Sequence, residues 1–157
     1  MFQINKAKRI LQELVGAVAP EYYSSSSIKY TYMSLGLAAS VPTPSTTCLA
    51  EPSTDYGYAR KIIGAGGREC DITWSTPVYD SETKKVSITN TKEIHFPEVV
   101  NSGWGTVAYF GINTGATVGA SDLVYYGKFT ANVVIDKVNT IPIIRAGELV
   151  IELEAVE

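Results

Sequence analysis

The sequence predicts a mainly β protein: an antiparallel β-sandwich, jelly-roll or immunoglobulin-like, preceded by one amphipathic helix. Three observations lead there. Ser102 to Ile112 and Leu123 to Thr130 are rich in strand-favouring residues (Trp104, Val107, Tyr109, Phe110, Ile112, then Val124, Tyr125, Tyr126, Phe129). Between them Asn113 to Asp122 is short-sided, with Gly115 and Gly119 free to take positive φ, so the whole reads as a central β-hairpin. Elsewhere, short apolar or alternating runs are separated by Gly, Pro and polar turns, giving roughly eight or nine strands. Helical periodicity occurs once, at residues 3–19.

In that helix Ala7, Leu11, Leu14 and Val18 form one stripe, widened by Ile4, Ile10 and Val15, with Asn5, Lys8, Arg9 and Gln12 mainly on the other side. Pro20 is expected to end it, because the residue before proline avoids the α region. The expected division is a docking helix at 1–20 and a single sandwich domain at 21–157. The stripe needs a partner, either the chain's own sheet or a neighbouring subunit. Glu21 to Ser27 reads as a polar linker, and Ile28 to Ala38 as a strand that becomes buried. Pro42 and Pro44 exclude a central strand, so an exposed loop runs on to Tyr56.

Tyr58 to Ile63 is expected as a strand closed by Gly64-Ala65-Gly66-Gly67, with Asp71 to Trp74 as another and Pro77 to Lys85 as a charged turn. Val86 to Thr89 and Ile94 to Phe96 alternate with a two-residue period. Val133 to Ile135 and Ile141 to Ile144 follow, and Ala146-Gly147 leads into a last strand. There Leu149, Ile151 and Leu153 face inward while Glu148, Glu152 and Glu154 face out. No fixed-period repeat occurs, which excludes a propeller or β-helix.

At 157 residues the chain is long enough to bury a core without staples. A net charge of −3 gives no electrostatic case for nucleic acid as a partner. Only 18% of residues are charged, few for a small monomer covering its whole surface, which suits contact with neighbouring copies in a homo-oligomer. Cys48 and Cys70 are too few for a disulfide framework, and no apolar run reaches membrane-span length. Gln12 and Glu13 interrupt any signal-peptide core, so a reducing cytosol, or something assembled there, is the expected setting.

No catalytic constellation is legible. His95 is the sole histidine and lies on the opposite face from Ile94 and Phe96, a surface position with no signalled nucleophile. Two cysteines and one histidine fall short of a tetrahedral zinc site. The glycine run 64–67 lacks the lysine–hydroxyl ending and the following helix of a phosphate loop, so a turn is expected. Neither a metal nor a cofactor is expected. The ten tyrosines suit core, subunit contact or stacking on sugars.

Three segments of the chain resemble a family of short tailed-bacteriophage virion proteins commonly labelled tail-fibre proteins. They are Ser102 to Ile112, Leu123 to Thr130 and Ile144-Arg145-Ala146-Gly147-Glu148-Leu149-Val150-Ile151-Glu152-Leu153. Also similar are the opening helix Ile4 to Val18, the strand Tyr32 to Leu37, Glu51-Pro52-Ser53 with Gly57-Tyr58-Ala59-Arg60, and Asn90 followed by Ile94-Phe96-Pro97. The specificity lies in their ordered succession along most of the chain. The sequence departs from the pattern in a longer stretch between Arg60 and Val86 and in Ala131 to Ile135 after the hairpin, both expected as surface elaborations.

The resemblance implies a non-enzymatic virion component assembled in the host cytoplasm, associated with tail or baseplate. Its partners are other virion proteins, and a host-surface glycan is a further partner it allows. Capsid decoration, a neck or collar position, and a carbohydrate-binding module are the alternatives. The candidate contact residues are Lys8, Leu11, Leu14 and Val18 on the helix, Tyr32, Leu35 and Leu37 on the second strand, and Leu149, Ile151 and Leu153 on the last. The loops at 42–56 and 76–84 are expected at the outward end.

Overall fold

A computed structural model of the chain describes residues 2–18, 31–66 and 70–156. Its elements in chain order are β1 (Phe2–Gln3), α1 (Ile4–Leu14), β2 (Thr31–Leu37), a 3₁₀ turn (Thr54–Tyr56), β3 (Lys61–Gly64), β4 (Val78–Asp80) and β5 (Lys85–Thr89). They continue with β6 (Ile94–His95), β7 (Gly105–Asn113), β8 (Leu123–Ile135), β9 (Ile143–Ile144) and β10 (Val150–Val156). The class is the one the sequence predicts: mainly β, with antiparallel sandwich-like sheets and one N-terminal helix. The linker at 21–27, the first part of the expected strand at 28–30, Pro20 and Gly67 lie outside the described residues.

The chain forms two compact units, one of residues 1–31, 63–94 and 144–157, the other of Tyr32–Ile62 and His95–Ile143. In the first unit a four-stranded sheet has the order β1-β10-β5-β4, antiparallel except where Phe2 and Gln3 run parallel to Ala155 and Val156. β10 alternates as its sequence predicts: Ile151 and Ala155 are buried, Leu153 is half-buried, and Glu152 and Glu154 are exposed. α1 lies on β10 and β5, and Ala7, Leu11, Leu14 and Val15 are buried in this unit. The helix stripe is therefore covered by the chain's own sheet. Glu13, also buried, is held by Arg9 one turn earlier at 3.2 Å.

The helix is shorter than the 3–19 expected. It closes at Leu14 on a Schellman arrangement: Gly16 takes φ 71°, its N–H donates to the Glu13 carbonyl, and the Ala17 N–H donates to that of Gln12. Gly16 thus ends the helix before Pro20 is reached. The turn it makes lies directly on Gly64, where a Cβ would sit inside contact distance of the Val15 carbonyl. This explains Gly64, the last residue of β3, as a point of close backbone approach.

In the second unit β7 lies between β2 and β8 and pairs antiparallel with both, so the sequence-predicted hairpin forms with its first strand inside the sheet and its second, β8, at the edge. From Val107 to Asn113 every residue is buried, as a central strand covered on both faces requires. Gly127 sits opposite Phe110, whose ring occupies the space a Cβ would need. Val133 to Ile135 is not a separate strand, as the sequence suggested, but the continuation of β8. The ladder pairs Lys128 with Tyr109 and then Val133 with Val107, so Phe129 to Asn132 bulge outward opposite Ala108. Phe129 remains against Phe110, with ring centroids 5.4 Å apart.

Three further expectations change. Asp71 to Trp74 makes only an isolated bridge, between Trp74 and Asn90. The charged turn contains a strand, β4, before the reversal at 81–84. Tyr58 to Arg60 is irregular, and β3 begins only at Lys61, because the side chains of Tyr58 and Arg60 turn into a polar network.

Substituting Gly64→Ala forces the turn off the strand and should cost about 3 kcal/mol, read as a lower urea midpoint with unchanged slope. Gly119, with open space around it, should tolerate Ala at about 1 kcal/mol of backbone strain.

Candidate functional site

The densest polar chemistry among the described residues lies in the second unit and is built on Arg60. All five N–H donors of its guanidinium are used. Nε and one Nη2 hydrogen grip Glu51 in a bidentate pair at 3.0 and 2.9 Å. Nη1 donates to Asp122 Oδ1 at 2.8 Å and to the Gly115 carbonyl at 2.9 Å, and Nη2 reaches the Ala120 carbonyl at 3.3 Å. The Arg60 side chain is fully buried, Glu51 is 2% exposed and Asp122 is 19% exposed.

The carboxylates are saturated in turn. Glu51 accepts from the Tyr58 hydroxyl at 2.8 Å and from the Gly119 N–H at 2.8 Å. Tyr58 Oη accepts from the Leu35 N–H of β2 at 2.9 Å. Asp122 accepts from Asn113 Nδ2 at 3.0 Å, and Asn113 Oδ1 accepts from Ser34 Oγ at 2.6 Å. The network thus joins β2, the 48–60 segment and the β7–β8 loop. An ion pair this buried is tolerable only with its remaining donors and acceptors satisfied, which is the case here.

Electrostatics follow the same geometry. Burial opposes the charge on Arg60, but the hydrogen bonds and charges of Glu51 and Asp122 outweigh it and hold the guanidinium protonated more firmly than usual. Burial, reinforced by the Glu51 charge, drives the Tyr58 phenol well above its ordinary range. The Cys48 thiol is pushed up by burial and then by Glu51, toward which its Sγ donates at 3.7 Å. The Arg60 guanidinium and the Tyr58 phenol are thus each held in one protonation state, unlike a pair poised to exchange a proton.

Below the network Tyr58 belongs to an aromatic cluster. It meets Trp104 edge-on at 5.2 Å, Phe96 lies 6.3 Å from Trp104, and Trp104 Nε1 donates to the Tyr56 carbonyl at 2.7 Å. In the first unit Asn90 plays a comparable part. Its backbone and side chain bond Arg145, Gly147 and Leu149, fixing the turn into β10, and Nδ2 also reaches the Lys92 carbonyl.

The sequence-derived contact residues fall into two groups. Leu11, Leu14, Leu35, Leu149 and Ile151 are buried within the chain, whereas Lys8, Val18, Tyr32, Leu37 and Leu153 are half-buried. Those on the helix and on β10 belong to the first unit, and Tyr32, Leu35 and Leu37 to the second. His95 is exposed, Cys48 and Cys70 are free thiols, and no cluster of three or more metal-ligating side chains occurs among the described residues. The loop at 41–47 is largely exposed and is tied by its own hydroxyls, Thr43 N–H donating to Thr46 Oγ1 at 2.8 Å. Sequence reasoning missed the Arg60 network. Its one visible signal was the Glu51…Tyr58-Ala59-Arg60 segment in a chain otherwise poor in charge.

Removing one partner should be costly. Arg60→Met and Glu51→Gln should each lose about 3–5 kcal/mol in urea unfolding, and Arg60→Lys should not restore stability because an ammonium lacks the bidentate fork. In a Cys70→Ser background, the pH at which Cys48 alkylation reaches half its maximal rate should be higher in the native chain than in urea, since a raised thiol holds less thiolate at a given pH.

Residues 7–152 match the family model described as podophage GP4 fiber I protein gp80. No curated protein matches the chain. The match spans nearly the whole sequence, so the chain belongs to this family of short-tailed phage fibre proteins and is a structural component of a phage virion.

Proposed function

We propose that this podophage fibre-family protein is a non-enzymatic tail or baseplate component that makes assembly contacts with other virion proteins and meets the host surface at its loops. The observation that carries this reading is the family match across both compact units. The chemistry of the second unit suits it: the buried charges of Arg60 and Glu51 are spent on one another and on backbone groups, and the Cys48 thiol beside Glu51 is pushed up, away from the reactive thiolate.

Exposed apolar side chains supply material for assembly contacts. Val124, Val133, Val134, Val138 and Ile141 are 43–62% exposed on β8 and the segment after it. On the helix the docking role expected for residues 1–20 falls to Lys8 and Val18, because Leu11 and Leu14 are consumed internally. Self-association into a homo-oligomer fits the low charge content of the chain. Adsorption to a host glycan is the narrower part of the reading and belongs to the exposed loops 41–47 and 114–121.

Dissociating virions of the source phage and separating tails from capsids by gradient should place this chain, by mass spectrometry, in the tail fraction. Recovery on the capsid shells instead would sink the tail assignment. Glycan binding should appear as a sugar-dependent rise in unfolding temperature, and an array without hits would remove adsorption while leaving the assembly role intact.

A further inference from the structure

We infer that the β7–β8 loop, residues 114–121, is an electrostatically latched strap: its fold is set by the Arg60 charge and it can open without unfolding the sheet that carries it. No side chain between Thr114 and Ser121 is buried, so apolar packing supplies little to hold it. Its internal bonds are few, with Thr114 N–H to the Asp122 carbonyl at 3.3 Å, Ala120 N–H to that of Thr117 at 3.2 Å and Asp122 N–H to that of Ala120 at 3.0 Å. Gly115 and Gly119 leave the loop backbone with high entropy when free.

Against this, the latch contacts span the loop from end to end. Arg60 donates to the carbonyls of Gly115 and Ala120 and to Asp122 at the loop's exit. Glu51, held by the same guanidinium, accepts from the Gly119 N–H at the tip. Asn113 Nδ2 holds Asp122 from the loop's entry. One buried cation therefore organises an otherwise unsupported loop, while β7, the strand before it, buries Ile112, Phe110 and Val107, none of which bonds Arg60. Low local packing combined with a separable set of bonds is what distinguishes a sub-global opening from global unfolding.

The test uses the purified full chain and is indifferent to where in a virion it sits, so it stands or falls apart from the tail assignment. Hydrogen exchange of peptides covering 114–121 and β7 is compared between wild type, Asp122→Asn and Arg60→Met. Exchange of the Gly119 amide and its neighbours should rise about tenfold or more in both variants and keep a lower opening free energy than β7, whose protection falls only as far as global stability does. Unchanged loop exchange would overturn the inference. So would loop and β7 exchanging with one common opening free energy, because the strap would then have no independent equilibrium. Where Arg60→Met fails to fold, Asp122→Asn decides, since it removes one charge and leaves the Glu51 pair in place.

Discussion

The buried guanidinium of Arg60 is the constraint on which the second unit is arranged. A fully desolvated cation cannot be left with a single unmet donor, so five acceptors must converge on it from elements far apart in sequence. That requirement fixes the path of the chain. Residues 58–60 leave the strand conformation their composition favours, and the loop after β7 folds back to offer two carbonyls. Tyr58 transmits the same constraint to β2 through the Leu35 N–H. Its ring continues into the Trp104 and Phe96 cluster, so polar and aromatic packing are coupled through one side chain.

The residues on which the sequence resemblance rests are for the most part those that hold the chain in shape. Glu51, Tyr58 and Arg60 form the network, Asn90 fixes the turn into β10, and Trp104 donates to the Tyr56 carbonyl. Gly127 makes room for the Phe110 ring. Such a signature reports the fold and its virion family. The bulge at Phe129–Asn132 and the loops at 41–47 and 114–121 lie outside this scaffold.

Much of the fold was legible from periodicity. The alternation of Leu149, Ile151 and Leu153 against Glu152 and Glu154 and the helix stripe Ala7, Leu11 and Leu14 each follow from which positions must leave water. Boundaries were less legible, because they depend on contacts distant in sequence. Gly16 ends α1 through a turn whose meaning lies in its approach to Gly64, and β8 runs on past Thr130 because it rejoins β7 after a bulge. Apolar pattern alone does not separate a contact surface from a core. An exposed stripe and a buried one have the same pattern, and Leu11, Leu14, Leu35, Leu149 and Ile151 proved to be core. The Arg60 network was invisible for a related reason: Glu51, Arg60 and Asp122 meet only once the hairpin has formed.

The central claim is that Glu51 and Arg60 act as one unit in holding this fold. A double-mutant cycle of Glu51→Gln and Arg60→Met, followed by urea unfolding, tests it most directly. Each single variant strands a buried group, whereas the double variant strands neither charge, so a coupling energy of about 2–3 kcal/mol is expected between the sites. Additive losses, with coupling within about 0.5 kcal/mol of zero, would contradict the account.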